Sequence, residues 1–196
     1  MSGNVVDLCP VGALTSKPYA FAARPWELKK TETIDVMDAM GANIRVDARG
    51  GQVLRVLPRL HEEINEEWIS DKTRHACDGL SRQRLDRPFV RRDGKLVPAS
   101  WTEALAAVAA RFNAVEPHEI AAIVGDQADA EAMFALKQVM DAKGVASLDC
   151  RQDGARVGGG ARAGYVFNSG FIGVEEADAL LLIGTNPRWE APVWNA

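Results

Sequence analysis

The sequence predicts an α/β protein in three parts: a proline-rich tail, a small β-rich domain, and an open, doubly wound parallel sheet that is incomplete. Three observations predict it. Pro10, Pro18 and Pro25 punctuate the opening segment, a strand–glycine–strand pattern occupies residues 43–57, and from about residue 97 apolar runs alternate with helical periodicity. The three parts fall at 1–30, 31–88 and 89–196.

Taken in order, residues 1–30 show little helical or strand periodicity between their prolines, which predicts turns laid over another surface. Residues 43–47 and 52–57 read as two strands of a β-hairpin turning at Gly50-Gly51. Only the first alternates cleanly, with Ile44 and Val46 on one face. Residues 61–74 are rich in charge and predict a covering loop or short helix, with Ile64, Trp68 and Ile69 as its buried contacts. Ser100 and Glu103 have capping-box spacing ahead of Leu105, Val108, Ala109 and Phe112, which share one helical face. Residues 120–124 have the short apolar form of a buried parallel strand, and the helix after them presents Ala132, Met133, Leu136 and Met140 before Gly144 stops it. A weaker strand at 145–150 and a stronger one at 179–183 flank a glycine-rich loop. The sheet is expected to lack its later strands, which predicts an exposed apolar edge and stability that depends on partners.

Composition narrows the function classes. A chain of 196 residues with 47% hydrophobic content is long and apolar enough for a real core. No apolar run approaches the roughly 20 residues of a membrane helix, and the start has no signal-peptide pattern, so no direct membrane insertion is expected. The formal net charge is −4, and no Lys/Arg block is interleaved with aromatics, so nucleic acid is not an expected partner. Three widely spaced cysteines, Cys9, Cys77 and Cys150, fit a reducing compartment rather than a disulfide framework.

Few residues carry chemistry by pattern. Cys9-Pro10 has the Cys-Pro form that closes ferredoxin-type cluster motifs, although a buried structural cysteine fits the same dipeptide. Cys77 and Cys150 lie too far from it for metal-ligand spacing and are expected to be structural. Gly158-Gly159-Gly160 with Arg156 and Arg162 imitates a phosphate loop, but it neither follows its strand directly nor opens a helix, and a surface loop is the expectation. His61, His75 and His118 have no partner at metal spacing and are expected at the solvated surface. No nucleophile–base arrangement stands out, so no catalytic residue is assigned.

Longer blocks carry more. Residues 2–21, which contain Asp7-Leu8-Cys9-Pro10-Val11-Gly12-Ala13-Leu14, resemble the end of the ferredoxin-like region in the large iron–sulfur subunit family of respiratory NADH:quinone oxidoreductase (complex I). Ile34-Asp35-Val36-Met37-Asp38-Ala39, residues 62–74, residues 149–154 and residues 182–188 follow that family in order and spacing. The resemblance spans essentially the whole chain and implies that the chain is one part of such a subunit.

It implies that Cys9 is the fourth ligand of a 4Fe-4S cluster whose other three cysteines lie upstream in a C-x-x-C-x-x-C run absent from this sequence. It also implies that residues 31–88 are a degenerate molybdopterin-oxidoreductase-type 4Fe-4S domain and residues 89–196 the first part of the molybdopterin-oxidoreductase-like α/β domain. At the cluster positions of that degenerate domain this sequence has Asp35, Asp38, Ala42 and Ser70, so that cluster, and molybdopterin with it, is expected to be lost. The implied role is electron transfer from NADH and flavin through iron–sulfur clusters toward quinone. The implied partners are the other complex I subunits, including the flavin/NADH-binding subunit. The implied place is the cytoplasmic side of a bacterial inner membrane or the mitochondrial matrix side, and the isolated chain is expected to hold no cluster and to be inactive. Two alternatives stand beside it: a formate-dehydrogenase-like molybdopterin-dependent oxidoreductase, and a non-catalytic scaffold or truncated product.

Overall fold

A computed structural model describes residues 1–150 and 160–196. They form two compact units, one of Met1–Arg84 with Phe167–Ala196, the other of Leu85–Val166. The chain is α/β as expected, and the glycine-rich loop at 158–160 lies largely outside the described residues.

The first unit opens with a single helical turn, α1 (Asn4–Leu8), where the prolines alone predicted only turns. Its centre is a three-stranded antiparallel sheet of β1 (Lys29–Ile34), β2 (Asn43–Arg49) and β3 (Gln52–Pro58), in that order. The β2–β3 hairpin turns at Gly50-Gly51 as expected, with Arg49 opposite Gln52 and Gly50 at φ +60°, a conformation that costs glycine nothing. β1 has the polar sequence Lys-Lys-Thr-Glu-Thr-Ile and every residue of it is exposed, so hydropathy gave no signal for it. Charged side chains on an edge strand discourage pairing with a further chain, which is where this strand lies.

The apolar core of this unit is small. Ala42, Ile44, Val56 and Ile69 form it, with Val46, Val53 and Cys77 packed against them. Polar residues complete the interior, and most of their polar atoms are paired, the Arg74 Nε being an exception. Asp47, 0% exposed, accepts from Arg45 Nε at 2.9 Å and Arg55 Nε at 2.8 Å. The Arg55 guanidinium in turn lies 4.3 Å from the centre of the Tyr19 ring, which fastens the proline-rich tail to the sheet. Asn65 accepts from Asn43 N at 2.8 Å, and its amide nitrogen lies within 3.2–3.4 Å of the carbonyls of Asn43, Arg59, Glu66 and Trp68. Residues 61–70 therefore need no helix or strand to be held. Of the three contacts expected there, Ile69 is fully buried while Ile64 and Trp68 are half-buried. After this segment comes α2 (Asp71–His75), N-capped by Ser70, whose Oγ accepts from Thr73 N at 3.0 Å.

The second unit begins with an unexpected hairpin, β4 (Phe89–Arg92) and β5 (Lys95–Pro98). Asp93 and Gly94 both have positive φ, 49° and 78°, as a type I′ turn requires. The helix α3 (Trp101–Ala114) has the capping box read from its sequence: Glu103 N donates to Ser100 Oγ at 3.2 Å, and Ser100 N donates to Glu103 Oε2 at 3.0 Å. β6 (Ala121–Ile123), α4 (Ala130–Lys143) and β7 (Ser147–Asp149) make the expected βαβ unit, its strands parallel from Ala121 opposite Ser147 to Ile123 opposite Asp149. Gly144 ends α4 in the left-handed conformation at φ +80°.

Three expectations are corrected. The strand at 120–124 is not buried, with Ile123 66% exposed. The α3 face is not buried: Leu105 is 61% and Val108 64% exposed, and only Phe112 is half-covered. Residues 179–183 form no strand, because no described strand offers a ladder to them and an apolar run becomes a strand only through its partners. Leu181 there is 84% exposed.

Candidate functional site

Cys9 follows α1 as its C-cap, with φ −73° and ψ 109° turning the backbone out of the helix, and Pro10 prevents its continuation. Gly12 at φ +68° then turns the chain again. The backbone N–H of Leu14, followed by those of Val11, Ala13 and Gly12, holds the half-buried Cys9 thiol below the ordinary cysteine pKa, against a smaller opposing effect of burial. Thiolate is the form that ligates iron, so the turn suits a cluster ligand, and it supplies one donor. Among the described residues no group of three or more His, Cys, Asp or Glu is arranged to hold a metal ion.

The other cysteines do not join it. Cys77 is half-buried against the sheet core and burial pushes its thiol up, which fits the structural role expected of it. Cys150 is exposed, so the expected structural burial is not what the fold provides. His75 and His118 are at the surface as expected, whereas His61 is half-buried, with its Nδ1 enclosed and unpaired.

The four positions Asp35, Asp38, Ala42 and Ser70 are all buried in the first unit, and three of them converge. Asp35 N donates to the Ala42 carbonyl at 2.8 Å. Thr73 Oγ1 donates to Asp35 Oδ2 at 2.7 Å, so its proton is committed. The 2.8 Å contact between Ser70 Oγ and Thr73 Oγ1 must then run from serine to threonine, giving a chain from Ser70 through Thr73 to Asp35. Asp35 Oδ1 also accepts from Met37 N at 3.1 Å, and Asp38 Oδ1 accepts from Met40 N at 3.0 Å. A 4Fe-4S cluster does not fit these residues. Their hard oxygen atoms are already spent on internal hydrogen bonds, and the Ala42 methyl has no donor at all.

The side chains that hold α1 in place were not visible as a motif. Asn4 Nδ2 donates to the Ile69 carbonyl at 2.9 Å while Asn4 Oδ1 accepts from Ile69 N at 3.2 Å. Arg74 Nη2 donates to Asn4 Oδ1 at 2.9 Å and to Asp7 Oδ2 at 2.6 Å. Asp71 accepts from Ser2 N at 2.9 Å and Gly3 N at 2.7 Å. Burial pushes the Asp71 carboxyl up, but hydrogen bonds from the terminal amine, Gly3 N–H and the Ser2 hydroxyl outweigh it and hold it well below the carboxylate range. The one sequence signal available was Ser70 three residues ahead of Thr73, the spacing of a helix N-cap.

Comparison with known proteins gives the family. Residues 28–78 match the family model described as the NADH-ubiquinone oxidoreductase NDSU1/NuoG-like, 4Fe-4S domain, and residues 84–196 match that of molybdopterin oxidoreductase. Over its whole length the chain is 56% identical to the mitochondrial NADH-ubiquinone oxidoreductase 78 kDa subunit of Candida albicans, covering 28% of that protein. It is 54% identical to the mitochondrial NADH dehydrogenase (ubiquinone) iron-sulfur protein 1 of Solanum tuberosum, covering 27%, and 54% identical to a subunit of the NADH-quinone oxidoreductase of Rickettsia conorii, covering 29%. The chain thus spans less than a third of the length of these relatives. With one family model covering more than half of it, the chain belongs to the molybdopterin oxidoreductase family, and over its whole length it is similar to large iron–sulfur subunits of NADH:quinone oxidoreductase.

Proposed function

We propose that this chain works as part of the iron–sulfur subunit of NADH:quinone oxidoreductase, in the transfer of electrons from NADH and flavin through iron–sulfur clusters toward quinone. The observation that carries this is identity above 50%, taken over the whole chain, to subunits named for that enzyme in a fungus, a plant and a bacterium. The molybdoenzyme alternative is not favoured: those relatives are subunits of NADH oxidoreductases, and the oxygen atoms at Asp35, Asp38 and Ser70 suit no cluster. Neither is an independent scaffold role.

Cys9 is the residue of this chain assigned to the cofactor, as one thiolate ligand of a 4Fe-4S cluster completed by cysteines upstream. When bound, such a cluster supplies a one-electron carrier. The protein's own contribution is to present the Cys9 sulfur just past the end of α1, with the following backbone N–H groups lowering the pKa of its thiol. Residues 1–30 serve as the end of the cluster-bearing region, 31–88 as a former cluster domain now held by hydrogen bonds, and 89–196 as the opening of the α/β domain. No catalytic residue is assigned.

The partners are the other subunits of the complex, including the one that binds flavin and NADH. The relatives are mitochondrial or bacterial, and no helix among the described residues is long and apolar enough to cross a membrane. The place proposed is accordingly peripheral, on the cytoplasmic side of a bacterial inner membrane or the matrix side of the mitochondrial one. The isolated chain, with one ligand of four, is expected to bind no cluster and to show no activity. Replacing Cys9→Ala in the full-length subunit and recording electron paramagnetic resonance spectra of the assembled complex tests the assignment. One cluster signal is expected to disappear, and survival of the complete set would refute it.

A further inference from the structure

The helix that ends at Cys9 cannot stand by itself. α1 has five residues, no side-chain N-cap hydrogen bond and no basic residue in its last turn, and a single helical turn is unstable in water without outside support. Its support comes from residues 69–74, and one side chain spans it. The Arg74 guanidinium, 7% exposed, donates from the same Nη2 to Asn4 at the start of α1 and to Asp7 near its end, so it grips the turn at both ends. Asp7 is two residues before Cys9.

The fit beneath Arg74 is close. A Cβ on Gly3 would lie 2.5 Å from Arg74 Nε and 2.7 Å from its Cδ, so the arginine occupies the volume that a side chain at residue 3 would need. Arg74 itself is seated from behind. Its neighbour Thr73 closes the chain from Ser70 to Asp35, in the pocket whose residues do not suit a cluster. The short helix α2 thus faces two ways: Thr73 locks it into the old cluster pocket, while Asp71 and Arg74 hold the backbone that leads to Cys9.

We infer that Arg74 is a positioning residue for the Cys9 thiolate, and that the hydrogen-bonded pocket of Asp35, Ser70 and Thr73 serves as the footing that keeps Arg74 in place. The inference rests on Cys9 being a cluster ligand, and its test separates the two. A guanidinium nitrogen holds its two hydrogens in a fixed plane and so sets the directions of two acceptors at once, whereas an ammonium is a freely rotating point donor. Losing the grip at Asp7 lets α1 rotate or fray, which moves the sulfur and its N–H donors relative to the metal. Outer contacts of this kind orient ligands and tune the reduction potential of the metal site.

The experiment uses the full-length subunit in the assembled complex, with Arg74→Gln, Arg74→Lys and Cys9→Ala prepared in parallel. Electron paramagnetic resonance during a redox titration is the readout. Arg74→Gln is expected to broaden and shift the midpoint potential of the one signal that Cys9→Ala abolishes, leaving the other cluster signals as they were. Arg74→Lys is expected to fall between Arg74→Gln and the parent. A signal unchanged in shape and potential in Arg74→Gln overturns the inference while leaving the Cys9 assignment intact, and a full set of signals in Cys9→Ala overturns the assignment beneath it. Should Arg74→Gln fail to assemble, Arg74→Lys decides by the same measure: a shift confined to that signal supports the inference. Should neither assemble, alkylation of the purified full-length subunit, followed by mass spectrometry, decides instead. A several-fold faster reaction at Cys9 in Arg74→Gln, with Cys77 unchanged, supports it, and equal rates overturn it.

Discussion

The two units solve the problem of stability in opposite ways. The sheet unit has a minimal apolar core and buries nine polar or charged residues, among them Asn4, Asp47, Asn65 and Arg74, that are held by specific hydrogen bonds. The βαβ unit has regular, well-capped helices and leaves its apolar faces open, with Leu105, Val108 and Phe134 each more than 60% exposed. The first depends on the direction of individual bonds and tolerates little change in chemistry. The second depends on coverage, which its own described residues do not provide, and its local rules of capping and periodicity are nearly ideal.

Asn65→Leu should break this contrast most visibly. The substitution leaves the Asn43 N–H and several carbonyls without their partner, and unsatisfied buried groups cost about 1–3 kcal/mol each, so a loss of roughly 3 kcal/mol is expected in urea unfolding of the first unit. A change under about 1 kcal/mol would mean that water replaces the amide and that the polar interior is not decisive.

Acid should give a smaller effect. Burial pushes the Asp47 carboxyl up, but the hydrogen bonds and charges of Arg45 and Arg55 outweigh it and hold its folded pKa below that of the unfolded chain. Its contribution is therefore complete above the ordinary carboxylate range, near pH 4, and is lost as pH falls through the lower folded value. Urea midpoints measured between pH 7 and pH 2.5 should drop, and Asp47→Asn should flatten part of that slope, on the order of 1 kcal/mol. The same slope in parent and variant would contradict the sign.

The smallest effect belongs to the other unit. Leu105→Ser should change stability by no more than about 0.5 kcal/mol, since the side chain is already in solvent, while reducing self-association seen by light scattering. A loss of about 2–3 kcal/mol would show that the face is covered within the chain and erase the difference between the units.

What was legible in the sequence follows the same division. Ser100 with Glu103, the apolar run at 120–124 and Gly144 act locally, so their elements could be placed without knowing what surrounds them. Gly50-Gly51 likewise announced its hairpin, and Asp93-Gly94 carried an equal signal, masked by the arginines and lysine of the flanking strands. β1 escaped because an edge strand needs only a neighbour, not hydrophobicity, and 179–183 misled because apolar residues without a neighbour make no strand. Cys9 stood out by its proline but was assigned to a cluster only through resemblance, as were the positions Asp35, Ala42 and Ser70. Asn4, Asn65, Thr73 and Arg74 were not, because a polar residue in an irregular segment looks like loop until its distant partners are known.

Asn4 and Asn65 act as detached pieces of main chain. Each offers one carbonyl and one amide group to nearby main chain, Asn65 at the start of β2 and Asn4 at Ile69, where it meets both the N–H and the carbonyl as a neighbouring peptide would. Exchanging the side-chain nitrogen for oxygen, as deamidation does, keeps the shape and removes every donor. A carboxylate at either position would then face carbonyl oxygens where it had faced acceptors for its own hydrogens. Chemical ageing of a single atom at Asn4 would loosen the turn that carries Cys9 without touching any residue near the sulfur.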